Sequence, residues 1–112
     1  MFTHNLTIYR GTVFSERLLW TENSIAVDLG GWKAKARLRN EATGSAYDLS
    51  TDTGEIELGS SGEIDLLLNA DNTAVMQLGS YVWDILLMNT HGDIQPPMIS
   101  GIATVLQGVT VW

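Results

Sequence analysis

The chain has 112 residues, no cysteine, 45% hydrophobic and 17% charged residues, and a formal net charge of −7. That length supports one core burying roughly two-thirds of the unfolded surface. The composition excludes disorder, disulfides, thiolate metal sites and a cysteine nucleophile, and an acidic surface repels phosphate backbones, which argues against nucleic acid as a partner.

Residues 5–9 (NLTIY) alternate and predict a first strand, closed by Arg10-Gly11. Residues 12–20 (TVFSERLLW) predict a second. There Val13, Ser15, Arg17 and Leu19 share one face and Phe14, Glu16, Leu18 and Trp20 the other. The pattern is mixed, and a bulge is expected to shift its register midway. TENS at 21–24 is a turn by composition, and residues 26–29 form a short extended piece ended by Gly30-Gly31. The cleanest alternation follows, WKAKARLR at 32–39. It turns Trp32, Ala34, Ala36 and Leu38 toward a core and Lys33, Lys35, Arg37 and Arg39 toward water.

NEATG at 40–44 is a turn and residues 46–49 a short edge piece. EIEL at 55–58 and EIDLLL at 63–68, separated by GSSG, read as a hairpin with Ile56, Leu58, Ile64, Leu66 and Leu68 on a common face. The one helix candidate lies near 70–78, capped by Asn69 or Asp71, with Ala74, Val75 and Leu78 facing inward. In the last third, Tyr81, Trp83, Ile85 and Leu87 share one face of a strand and Val82, Asp84, Leu86 and Met88 the other. A THGD turn leads to a returning arm, in which Pro96-Pro97 predict an edge, a bulge or an excursion because proline cannot donate to a ladder. Regular pairing is expected to resume near Ile99. So apolar a ribbon needs cover, for which the strands around Trp32, Ile56 and Ile64 are the candidates. The result is an all-β, antiparallel β-sandwich of about seven strands with one short helix, as a single domain over residues 1–112.

No catalytic constellation emerges. His4 and His91 lack a second histidine or patterned carboxylates nearby. The acidic run from Asp48 through Asp52 to Glu57 resembles a calcium loop, but its sixth position is Thr53 rather than glycine and its twelfth Gly59 rather than glutamate. Motifs such as GxSxG and HExxH are missing. The expectation is a protein that is not an enzyme and has no cofactor and no metal. Four of the six basic residues, Lys33, Lys35, Arg37 and Arg39, fall within seven positions. They could dock an acidic partner or a neighbouring copy, or simply pair across the sheet with Glu55, Glu57 or Glu63. Trp20, Trp32 and Trp83 occupy core positions, and Trp112 is either exposed or held in a partner. No apolar run approaches the ~20 residues of a membrane span. The start MFTHNLTIYRG lacks a secretory pattern, so synthesis in the cytoplasm and no membrane partner are expected.

Three segments together carry a family likeness: LTIYRGTVFSERLLWTEN, VDLGGWKAKARLR and GSYVWDILLMNTHGDIQPPMISGIATVLQGVTV. Asp28, Leu29, Gly30, Gly31 and Trp32 form one step, and Gly79, Tyr81 and Asp84, with Gly101 in the last strand, form the closing one. In this order they resemble small tailed-bacteriophage virion proteins, similar to the N-terminal β-sandwich domains of baseplate or fibre-adaptor proteins and to immunoglobulin-like folds. The resemblance implies a structural component of the virion, in the tail, baseplate, head–tail junction or capsid decoration, acting by protein–protein assembly and as a homo-oligomer within the particle. Candidate partner-contact residues are Lys33, Lys35, Arg37, Arg39, Pro96, Pro97 and Trp112. The alternative is a carbohydrate- or receptor-binding module stacking sugar on Tyr9, Trp20 or Trp112.

Overall fold

The computed structural model describes residues 2–97 and 99–110. In chain order its strands are β1 (Phe2–Thr3), β2 (Leu6–Tyr9), β3 (Phe14–Leu19), β4 (Thr21–Glu22), β5 (Ile25–Ala26), β6 (Lys33–Asn40), β7 (Ala46–Ser50), β8 (Ile56–Leu58) and β9 (Glu63–Leu68). A single helical turn, α1 (Ala70–Ala74), precedes β10 (Gly79–Met88) and β11 (Ile99–Leu106).

The period-two pattern of β6 is realised residue for residue: Ala34, Ala36, Leu38 and Asn40 are buried and Lys33, Lys35, Arg37 and Arg39 exposed. β10 pairs antiparallel with β6 from Tyr81 opposite Asn40 to Met88 opposite Lys33. This register sets Trp83, Ile85 and Leu87 beside the small apolar face of β6. β11 lies on the other side of β10 and β7 on the outer edge of β6. The front sheet is completed by β1 and β2, which both run parallel to β11 along its free edge. The expected antiparallel β-sandwich is formed, and these two edge strands are its parallel exceptions. Parallel neighbours need a long connection, and the whole chain between Tyr9 and Ile99 supplies it.

The back sheet has the order β3-β9-β8. β8 and β9 form the expected hairpin, with Ile56 opposite Leu66 and Leu58 opposite Ile64. The register of β3 on β9 is unbroken from Phe14–Leu68 to Leu19–Glu63, so the expected bulge is not formed. Glu16 stays on the inward face at half-burial, and Val13 lies outside the strand and exposed. The TENS turn is a separate two-stranded hairpin, β4–β5, with positive φ at Asn23 (51°) and Ser24 (64°). Two successive left-handed residues match the twist of the flanking strands. With this hairpin and with β1, which precedes the expected first strand, eleven strands occur among the described residues against about seven expected.

One core joins the sheets. Ile8, Leu38, Trp83, Ile85 and Val105 of the front meet Leu18, Ile56, Ile64 and Leu66 of the back. The cover of the C-terminal ribbon is therefore β3, β9 and β8, whereas β6 flanks the ribbon within its own sheet. Trp32 is half-buried edge-on against Trp20, with ring centroids 5.6 Å apart. Helix α1 ends at Ala74, shorter than expected. Its capping box is built by Asn69 and Asn72, and it buries Thr73 and then Met76, while Ala74, Val75 and Leu78 face water. The reason is the Thr73 hydroxyl, which bonds the Thr12 carbonyl at 2.7 Å and fixes which side of the turn meets the sandwich.

Two further ties hold the sandwich in register. Tyr81, fully buried at the start of β10, donates its hydroxyl to the Gln77 carbonyl at 2.6 Å. This is the tyrosine corner found where the chain crosses between sheets in immunoglobulin-type sandwiches, and burial pushes its hydroxyl above the ordinary value. Two positions on, Trp83 donates its indole N–H to the His4 carbonyl at 2.8 Å. The link between β1 and β2 thereby lies across Gly101, the partner of Trp83 on β11.

Candidate assembly surface

The outward face of the front sheet gathers most of the residues singled out from the sequence. Along β6 it presents Lys33, Lys35, Arg37 and Arg39; along β10, Val82, Asp84 and Leu86; along β11, Ile102 and Leu106. Leu86, Ile102 and Leu106 are exposed and Val82 half-buried beside Ile102. Three shallow depressions run along this face.

The basic stripe divides into engaged and free members. Arg37 lies opposite Asp48 of β7 and grips it with a fork, Nε to Oδ1 at 2.6 Å and Nη2 to Oδ2 at 3.1 Å. Hydrogen bonding from Arg37 holds the Asp48 carboxyl below its ordinary value, and the same bond raises the guanidinium. Lys33 sits 3.7 Å from Asp52. Both pairs are solvent-exposed, so they orient the side chains more than they stabilise the fold. No carboxylate among the described residues lies within ion-pair distance of Lys35 or Arg39. The glutamates expected to neutralise the stripe do not reach it. Glu55 caps the β7–β8 connection, accepting from the Ser50 amide at 3.2 Å and from the Thr53 hydroxyl, and Glu57 and Glu63 lie in the back sheet. Asp84 also faces Arg37 across the ladder, but the fork is turned to Asp48.

The same pairs account for the calcium-like loop. Asp48 and Asp52 serve the stripe, and no group of three metal-ligating side chains occurs among the described residues. Pro96 is exposed and Pro97 half-buried. Met88 bridges Ile94, and the ladder resumes with Ile85 opposite Ile99. The returning arm thus carries two more residues than β10 over that stretch, so the prolines sit in a bulge. The bulge borders the stripe, because Ile94 lines the same depression as Lys33, Lys35, Leu86 and Met88. Trp112 lies outside the described residues. Trp20 is 8% exposed and unavailable for stacking on a ligand.

Sequence reasoning missed His4. It is half-buried and its Nε2 lies 3.1 Å from Glu16 Oε1, tying the N-terminal edge of the front sheet to the edge strand of the back sheet. His4 lies in the link between β1 and β2 and Glu16 in β3, segments that never pair, so no local pattern marks them. Arg17 and Asp65 form a second fork, at 2.7 and 3.0 Å, across β3 and β9. The bond from Arg17 holds the Asp65 carboxyl below its ordinary value.

With six strands facing three and a tyrosine corner between them, the architecture is specific enough for comparison with solved structures. The fold resembles that of a phage protein domain. The N-terminal domain of phage TP901-1 ORF48 matches over 94% of this chain and 98% of its own, with a TM-score of 0.57 at 11% identity. The extracellular domain of the voltage-gated sodium channel β4 subunit, described as a parallel homodimer in cell–cell adhesion, matches over 96% of this chain and 93% of its own, with a TM-score of 0.47 at 12% identity. At such identities the likeness is one of fold. No protein-family model matches the sequence, and no curated protein does. No helix among the described residues is long and apolar enough to cross a membrane.

Proposed function

We propose that this chain is a structural component of a tailed-phage virion that works by protein–protein assembly and has no catalytic role. The observation that carries the reading is the likeness of fold to a phage domain over nearly the full length of both chains. The character of the front sheet supports it. Exposed aliphatic groups bordered by charge suit an assembly contact, and Leu86 and Ile102 beside the basic Lys35 and Arg39 provide them on a rigid sheet. The finer elements of the reading are homo-oligomeric placement within the particle and contact through the basic stripe and the Pro96-Pro97 bulge. Proteomic analysis of gradient-purified particles tests it. Peptides of this chain should co-sediment with intact particles at a fixed ratio to the other virion proteins. Their absence from particles, with the chain abundant in the lysate, would refute the proposal.

A further inference from the structure

The two outer faces of the sandwich carry opposite charge. On the front, Lys35 lies opposite Leu86 and Arg39 opposite Val82, and neither cation has an ion-pair partner among the described residues. On the back, Glu63 lies opposite Leu19, which is 65% exposed. Glu57 lies opposite Asp65, whose carboxylate is occupied by Arg17. Glu57 and Glu63 have no ion-pair partner among the described residues. Each face therefore presents uncompensated charge beside exposed aliphatic side chains, with the sign reversed between them.

We infer that copies of this chain associate head to tail, the basic front sheet of one copy against the acidic back sheet of the next. Front against front would place Lys35 and Arg39 among like charges, and back against back would do the same to Glu57 and Glu63. Asp84, exposed on the front and without an ion pair among the described residues, offers front against front a single acidic group, whereas front against back sets Lys35 and Arg39 against both Glu57 and Glu63, and juxtaposed like charges are costly at an interface. Such a heterologous contact leaves one free face at each end, so it propagates into a ring or an open filament. The inference concerns the isolated chain and holds or fails independently of any role in a particle.

Sedimentation velocity on four proteins tests it. The wild-type chain associates with increasing concentration, and less so at high ionic strength. A front variant, Lys35→Glu with Arg39→Glu, and a back variant, Glu57→Lys with Glu63→Lys, each lose association by at least about tenfold. Mixed together they regain association in alternation, because the native back of the first meets the native front of the second and the reversed front of the first meets the reversed back of the second. The protein carrying all four substitutions again has faces of opposite sign at an unchanged net charge of −7, and it self-associates like the wild type. If charge reversal disturbs folding by circular dichroism, glutamine at the same positions gives the same order of effects. A wild-type chain still monomeric near about 1 mM overturns the inference. So does a back variant that self-associates undiminished, or a mixture that stays monomeric.

Discussion

Replacing Gly101 by alanine is the sharpest test of how the N-terminal strands are held, because two physical effects predict opposite signs. In an unobstructed position glycine-to-alanine stabilises by roughly 0.4–1 kcal/mol, through the lower entropy of the unfolded chain. At Gly101 a Cβ would stand 2.2 Å from the His4 carbonyl oxygen, 2.8 Å from its carbon and 3.0 Å from Asn5 Oδ1. Carbon contacts are comfortable only near 3.5 Å and beyond, so the link between β1 and β2 must retreat by about 1 Å. That retreat breaks the 2.8 Å bond from the Trp83 indole to His4 and strains the bond from the Ile102 amide to Asn5 Oδ1 at 3.1 Å. Trp83 is 3% exposed, and an orphaned buried donor costs about 1–3 kcal/mol. With the second bond weakened, the expected net loss is about 2–4 kcal/mol, or a fall in Tm of roughly 10–20 °C for a domain of this size. Urea denaturation gives the free energy, and hydrogen exchange at the Trp83 indole and the Ile102 amide reports the local cause. Stability unchanged or raised, with the indole still protected, would refute the clamp.

Two further outcomes follow from the same structure. Tyr81→Phe keeps the buried ring but removes the hydroxyl that bonds Gln77, so it should cost about 1 kcal/mol by urea denaturation; no loss would mean that the corner is ornamental. Asp48 and Asp65 have folded-state pKa values lowered chiefly by bonds from Arg37 and Arg17. The stability they contribute is therefore complete above the unfolded carboxyl value near ~4 and is lost as pH falls through their lower folded values. Thermal melts should be nearly flat between about pH 7 and pH 5 and decline below about pH 4. Asp48→Asn with Asp65→Asn should flatten part of that decline, and an acid limb identical to wild type would sink the assignment.

The elements most legible in the sequence were those whose side chains alternate without interruption. Lys33, Lys35, Arg37 and Arg39 had to share a face once residues 32–39 were extended, and Tyr81, Trp83, Ile85 and Leu87 had to turn inward together. Helix α1 was legible at its start, through the cap at Asn69, but not in its buried side. A five-residue helix has no periodicity to read, and a single hydroxyl bond from Thr73 chose the face that packs. The candidate surface was half legible. Its basic residues were visible, but their neutralising partners were misassigned to glutamates, since partner choice depends on which strand lies beside β6.

By itself, then, the sequence determined an all-β chain, the inward and outward faces of β6, β9 and β10, the β8–β9 hairpin and the interruption at Pro96-Pro97. Those follow from alternation and from proline's missing N–H, both properties of the local chain. Tertiary structure alone decided the parallel docking of β1 and β2 on β11, the His4–Glu16 and His4–Trp83 ties, and the pairing of Arg37 with Asp48 in place of Glu55, Glu57 or Glu63. Each of these is a contact between segments far apart in the chain or a choice among competing strands. Such contacts are set by sheet order and register, and local pattern specifies the faces of a strand without naming its neighbour.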